Sequence, residues 1–183
     1  MQSRSRLSGF TLVELMAVVA IVAVLATVAV FSYKRYLRRA RVQEGVAFLM
    51  DVKLKQETYF MTYSQYVDTG ADETGFYPPD GAFLPDRLPV PWNISWNCSD
   101  AGLTVTQSGF CALGLIPPGP DTWFQYVTVG WAPGDVPPAG YGLDPSRRWW
   151  LVRGRTFFDS AGTLPLELRL TNGPNEIIEI WPD

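Results

Sequence analysis

The residue best placed to do chemistry in this chain is an acid surrounded by hydrocarbon. Glu14 lies in the run Leu12-Val13-Glu14-Leu15-Met16, which stays almost unbroken in its apolar character to Phe31. An unpaired carboxylate in a bilayer core costs on the order of 2.5–3.5 kcal/mol by insertion scales. Glu14 therefore needs a partner, and the neighbouring sequence offers none. Two thiols, Cys98 and Cys111, close a short loop. In an oxidising compartment they pair, for about 3 kcal/mol of loop-closure stabilisation; the alternative is two reduced, buried thiols. The chain has no His, which removes the commonest general base and transition-metal ligand. No phosphate-binding glycine loop, metal-ligand cluster or triad is visible. Catalytic residues, metal and cofactors are accordingly expected to be none, and the chain is read as not an enzyme. Asp68, Asp72, Glu73 and Asp80 are oxygen ligands of the kind calcium takes, but their spacing fits no calcium loop, so a solvated acidic loop is expected. Arg147-Arg148-Trp149-Trp150 is the first candidate for stacking on a sugar, a base or a partner, single-stranded DNA included. Most of the seven Trp are expected to be packing residues.

These groups need elements to carry them. As a helix, residues 10–31 would be roughly 33 Å long, against roughly 30 Å of bilayer hydrocarbon. They are expected to span a membrane. Beyond them Lys34, Arg35, Arg38, Arg39 and Arg41 form a basic cluster, read as headgroup contact or a solvated face in preference to contact with acidic neighbouring subunits. The pattern then turns amphipathic. Val42, Val46, Leu49, Met50, Leu54, Phe60 and Met61 are expected on the buried face, with Glu44, Asp51 and Lys55 opposite. Lys53 and Glu57 are spaced to pair with each other. Gly70 and Gly75 break regular structure, and residues 67–97 read as an ordered but irregular connector rich in Pro, Gly, Asp and aromatics.

Strand-like runs follow at residues 103–106, 123–129, 149–153 and 156–158, the last two split by Gly154. Two more, residues 166–170 and 176–181, alternate cleanly and are joined by a hairpin connection, Thr171-Asn172-Gly173-Pro174-Asn175. Pro-rich stretches at 116–120 and 132–145 are expected to be surface loops. The fold class is α+β: a long N-terminal helix, its first half transmembrane and its second amphipathic, packed on an antiparallel β-sheet head.

Gly9-Phe10-Thr11-Leu12-Val13-Glu14-Leu15, preceded by Arg4 and Arg6 and followed by the apolar run, resembles the type IV prepilin signature. The resemblance is tight over residues 4–41, looser to Tyr66 and absent beyond. It implies a leader over residues 1–9, a stem helix over 10–62 with 10–31 as membrane span and filament core, and a pilin-like head over 63–183. It further implies a prepilin peptidase that cuts between Gly9 and Phe10 and methylates the new Phe10 amine. Glu14 would serve assembly by meeting the Phe10 amine of a neighbouring subunit. An uncleaved signal anchor is the plainer alternative. Ala23 and Phe31 stand where many pilins carry a helix-breaking Gly or Pro, which counts against the mid-stem melting seen in such pilins. The positive-inside count would leave the cluster after the span in the cytoplasm. The leader and the extracytoplasmic look of the remainder point the other way.

The stem sequences Leu37-Arg38-Arg39-Ala40-Arg41 and Glu57-Thr58-Tyr59-Phe60 resemble PilE-like minor pilins most. The function implied is that of a structural subunit, major or minor, of a surface filament for motility, adhesion or DNA uptake. Its partners would be copies of itself or other pilins in a helical filament, prepilin peptidase and the inner-membrane assembly machinery. DNA or a surface remains an open ligand. The precursor would sit in the bacterial inner membrane with its head outside the cytoplasm, and the assembled subunit in an extracellular pilus. The alternatives are a pseudopilin of type II secretion, a scarce filament-tip subunit with a binding head, and, least favoured, a membrane-anchored periplasmic enzyme.

Overall fold

The structure, a computed structural model, describes residues 11–79, 89–92, 98–117, 119–158, 165–173 and 176–181. A single helix, α1, runs Leu12–Tyr63. It is followed by β1 (Val90–Pro91), α2 (Val105–Leu113), β2 (Asp121–Thr122), β3 (Gln125–Gly130), β4 (Trp150–Phe157), β5 (Pro165–Thr171) and β6 (Ile178–Ile180). The chain divides into two compact units, Met1–Arg41 and Val42–Asp183.

The first unit holds the apolar part of α1. Neither Gly nor Pro interrupts it, and its Leu, Val, Ile, Met and Phe side chains are exposed along the whole stretch. By length and composition α1 can cross a membrane. Thr27 is compatible with that stretch because its hydroxyl donates back to the Val24 carbonyl at 2.7 Å, leaving no idle donor.

The second unit is an antiparallel sheet in the order β3-β4-β5-β6, with the second half of α1 on one face. Every neighbouring pair is antiparallel, with Val127 opposite Arg153, Arg153 opposite Arg169, and Arg169 opposite Ile178. The β5–β6 hairpin therefore forms where the alternation placed it, and the fold is the α+β pilin-like layout. Leu166, Leu168 and Leu170 from β5, Trp150 and Val152 from β4 and Tyr126 from β3 meet Phe48, Leu49 and Val52 of α1. On the opposite face Phe76, Val127, Val129, Trp149 and Leu151 form a second, smaller core. Tyr141 and Leu143 from the Pro-rich loop pack against it. With apolar matter on both sides, β3 is buried at every residue.

Several expectations need correction. The buried face of α1 is made by Val42, Gly45, Phe48, Leu49, Val52 and Gln56. Met50, Leu54 and Met61 lie outside it, at 46%, 63% and 84% exposure. The hydropathy stripe was misplaced because a Gly and a Gln hold two core positions. Gly45 is there for closeness: a Cβ would come within 2.7 Å of Leu168 and 2.9 Å of Phe124. Gln56 is there for its hydrogen bonds. Its Nε2 donates to the Val67 carbonyl at 2.7 Å and to Thr128 Oγ1 at 3.0 Å, and its Oε1 accepts from Val67 N–H at 3.0 Å.

Glu44, expected opposite the stripe, is half-buried and accepts from Trp123 N–H at 3.2 Å and the Thr122 hydroxyl at 3.3 Å. Glu57 turns from Lys53 to Trp150, whose Nε1 donates to it at 2.6 Å. Residues 103–106 start a helix instead of forming a strand. Thr104 caps α2, and Gln107 returns the bond to the Thr104 N–H, a capping box that outweighs the β-branched character of Val105 and Thr106. Gly154 does not split β4; it makes room for Leu49 and Tyr126 within one continuous strand. The connector is ordered and largely irregular where it is described. Thr69 exchanges hydrogen bonds with Thr128, and β1 pairs with β2. Tyr66 packs back on the stem, its ring 4.6 Å from that of Phe60.

Candidate functional site

The start of α1 is a local device built from Thr11 and Glu14. The Thr11 carbonyl accepts from Leu15 N–H at 3.2 Å, the first bond of the helix. Thr11 thus takes the N-cap place and Glu14 the third position of the first turn, where an acid also suits the helix dipole. Glu14 N–H donates to Thr11 Oγ1 at 3.3 Å. In return Thr11 N–H and the Thr11 hydroxyl both donate to Glu14 Oε2, each at 2.9 Å. This is a capping box with a second donor added. The expectation that the nearby chain offers Glu14 nothing is therefore corrected. Thr11 supplies hydrogen bonds, though no positive charge, and they fall on one oxygen. Glu14 Oε1 has no partner among the described residues. The signal was readable in the sequence as Thr-x-x-Glu ahead of an apolar run. Gly9 and Phe10, the expected cleavage and methylation residues, lie outside the described residues.

The other candidates separate clearly. Cys98 and Cys111 form a disulfide, with Cα atoms 5.5 Å apart, that ties the chain before α2 to the helix itself. The helix buries Phe110 and Leu113, and the Phe110 ring lies 4.9 Å from Trp92 in an edge-on contact. The Arg-Trp cluster does not present a stacking surface. Trp149 and Trp150 are 4% and 0% exposed, on opposite faces of the sheet. Arg147 reaches Asp144 at 3.4 Å, and Arg148 lies over the rings of Phe60 and Trp131.

Asp68, Asp72, Glu73 and Asp135 line one hollow, and three of these carboxylates accept from nearby backbone N–H groups. Asp68 accepts from Gly130 N–H, Asp72 from the Thr74 amide and hydroxyl, and Asp135 from Ala132 N–H. Burial pushes the Asp68 carboxyl up, against the pull of the Gly130 N–H. The Thr74 hydroxyl and amide hold Asp72 below its usual range. Among the described residues no group of His, Cys, Asp and Glu is placed to hold a metal ion; Asp80 lies outside them.

No curated protein and no solved structure matches the chain. Residues 4–30 match the family model described as the prokaryotic N-terminal methylation motif, the leader signature of type IV prepilins, and that motif marks the chain as a type IV pilin-like or pseudopilin precursor.

Proposed function

We propose that the chain is a structural subunit of a type IV pilus, made as a membrane-anchored precursor and polymerised through its N-terminal helix. Prepilin peptidase cuts between Gly9 and Phe10 and methylates the Phe10 amine. The apolar part of α1 holds the precursor in the inner membrane, head outside the cytoplasm, and then passes into the filament core. The observation that carries this reading is an apolar helical stretch with exposed side chains and one carboxylate at its start, one oxygen of which has no partner among the described residues. Such a helix must be covered, first by lipid and then by other copies. Its one charge is neutralised when the Phe10 amine of a neighbour reaches Glu14. Removing one member of a buried ion pair typically costs 3–5 kcal/mol, so the pairing selects the axial stagger at which subunits add.

The pseudopilin reading shares everything up to this point, because the matched motif ends at residue 30. A binding tip subunit loses its first candidate surface with the burial of Trp149 and Trp150.

The test is Glu14→Ala, followed by mass spectrometry of sheared surface fibres. The variant is expected to be cut and to remain in the membrane, but to enter fibres at least tenfold less than the unaltered chain, the scale set by loss of a buried pair. Equal incorporation overturns the assembly role. Fibres confined to the periplasm favour the pseudopilin.

A further inference from the structure

We infer that Thr11 is a positioning residue for Glu14: it fixes the carboxylate through Oε2 and so leaves Oε1 facing the incoming amine. This rests on the assembly reading above. An ordinary capping box needs only the N-cap N–H to reach the acid. Here the hydroxyl of Thr11 donates as well, and both bonds converge on one oxygen at 2.9 Å. The same hydroxyl accepts from Glu14 N–H, so the side chain is held at both its backbone and its carboxylate. A Glu side chain otherwise loses considerable rotamer freedom on being fixed. When Thr11 has already fixed it, the amine of a second subunit meets an ordered acceptor, and that ordering is not charged to assembly. Valine at position 11 would keep the shape and the backbone N–H and remove the hydroxyl alone.

The experiment uses full-length tagged chains, Thr11→Val, Thr11→Ser, Glu14→Ala and the Thr11→Val/Glu14→Ala double variant, each co-expressed with the untagged chain. Incorporation into sheared fibres is measured by mass spectrometry and divided by the amount of processed subunit on a gel. Thr11→Val is expected to enter fibres about tenfold less, the scale of one hydrogen bond to a charged group. Thr11→Ser is expected to enter at nearly the unaltered level. In the Glu14→Ala background, Thr11→Val is expected to add nothing, because both act through the same carboxylate. Unaltered incorporation of Thr11→Val overturns the assignment. So does an equal fold-loss with and without Glu14, the result of a cap that serves the helix alone. Glu14→Ala entering fibres freely would overturn the assembly reading too, whereas Thr11→Val doing so by itself overturns only the role of Thr11.

Discussion

Gln56 shows how one polar side chain can set a tertiary arrangement. It sits fully buried on α1 and satisfies both the N–H and the carbonyl of Val67 while also reaching Thr128. Thr128 in turn donates to the Leu151 carbonyl at 3.0 Å. Helix, returning chain and two strands are thereby linked at one residue. Gln56→Leu conserves volume but leaves the Val67 backbone groups buried without partners, for a loss of about 3 kcal/mol. The check is denaturant unfolding of the detergent-solubilised protein followed by Trp fluorescence, and an unchanged midpoint would contradict this account. Nothing in a hydropathy pattern marks Gln56, since polarity argues for the surface until its partners are known. Thr11 is the opposite case. Its capping role with Glu14 is local in sequence and legible there as Thr-x-x-Glu ahead of an apolar run.

Among the elements, the existence of α1 is legible in the sequence and its rotation about its axis is not. The change from uniformly apolar to amphipathic sequence located its two halves. The choice of buried face depended on Gly45, which scores as a helix breaker and acts as a contact. Gly45→Ala makes this testable by sign. At an exposed helix position the exchange stabilises by about 1 kcal/mol. Here the new Cβ would meet Leu168 at 2.7 Å and Phe124 at 2.9 Å, and overpacking of that kind costs about 1–3 kcal/mol. Denaturant unfolding is expected to show a net loss, and a stabilised variant would mean that the helix does not seat this closely. β5 was legible because a strand with one covered face must alternate, and its alternate residues are buried; β6 carries the same alternation but is exposed at Ile178, Glu179 and Ile180 alike, so there the pattern marks the pairing with β5 and not a buried face. α2 was not, because its start carries β-branched residues and the Thr104–Gln107 box competes with them. β3 carried a mixed signal because both of its faces are covered.

At the scale of the whole molecule, the two units meet water differently. The apolar part of α1 exposes its side chains, while the unit from Val42 onward has cores on both faces of its sheet. The second of these faces carries charge that has to be balanced internally. Arg153 and Arg169 stand directly opposite each other across β4 and β5, an arrangement unfavourable for like charges. Glu167 lies between them, accepting from Arg153 Nε at 2.5 Å and Arg169 Nε at 2.7 Å. Arg153 also donates to the Glu73 carbonyl at 2.6 Å and lies over the Phe76 ring. The ion triad therefore pins the connector to the sheet. Burial alone would raise the Glu167 carboxyl, but the hydrogen bonds and charges of Arg169 and Arg153 outweigh it and hold the group below its usual 4.5.

The sign of the pH effect follows. A carboxyl depressed in the folded state contributes stability above its unfolded value, and that contribution is lost as pH falls through the lower, folded value. Glu167 thus favours the fold above about pH 4.5 and ceases to do so in stronger acid. Asp68, raised by burial, acts in reverse. The folded chain takes up its proton first, so its contribution grows as pH falls from the raised value toward 3.8. Glu167→Gln keeps the shape and removes the charge between two arginines. It is expected to lose about 2 kcal/mol at pH 7, the scale of hydrogen bonds to a charged group. The gap to the unaltered protein should close as pH falls below 4.5, because protonated Glu167 and Gln are then electrically alike. Unfolding midpoints measured from pH 7 to pH 3 decide the matter: a gap of constant size would mean that Glu167 serves by shape, and a gap that widens in acid would reverse the assignment.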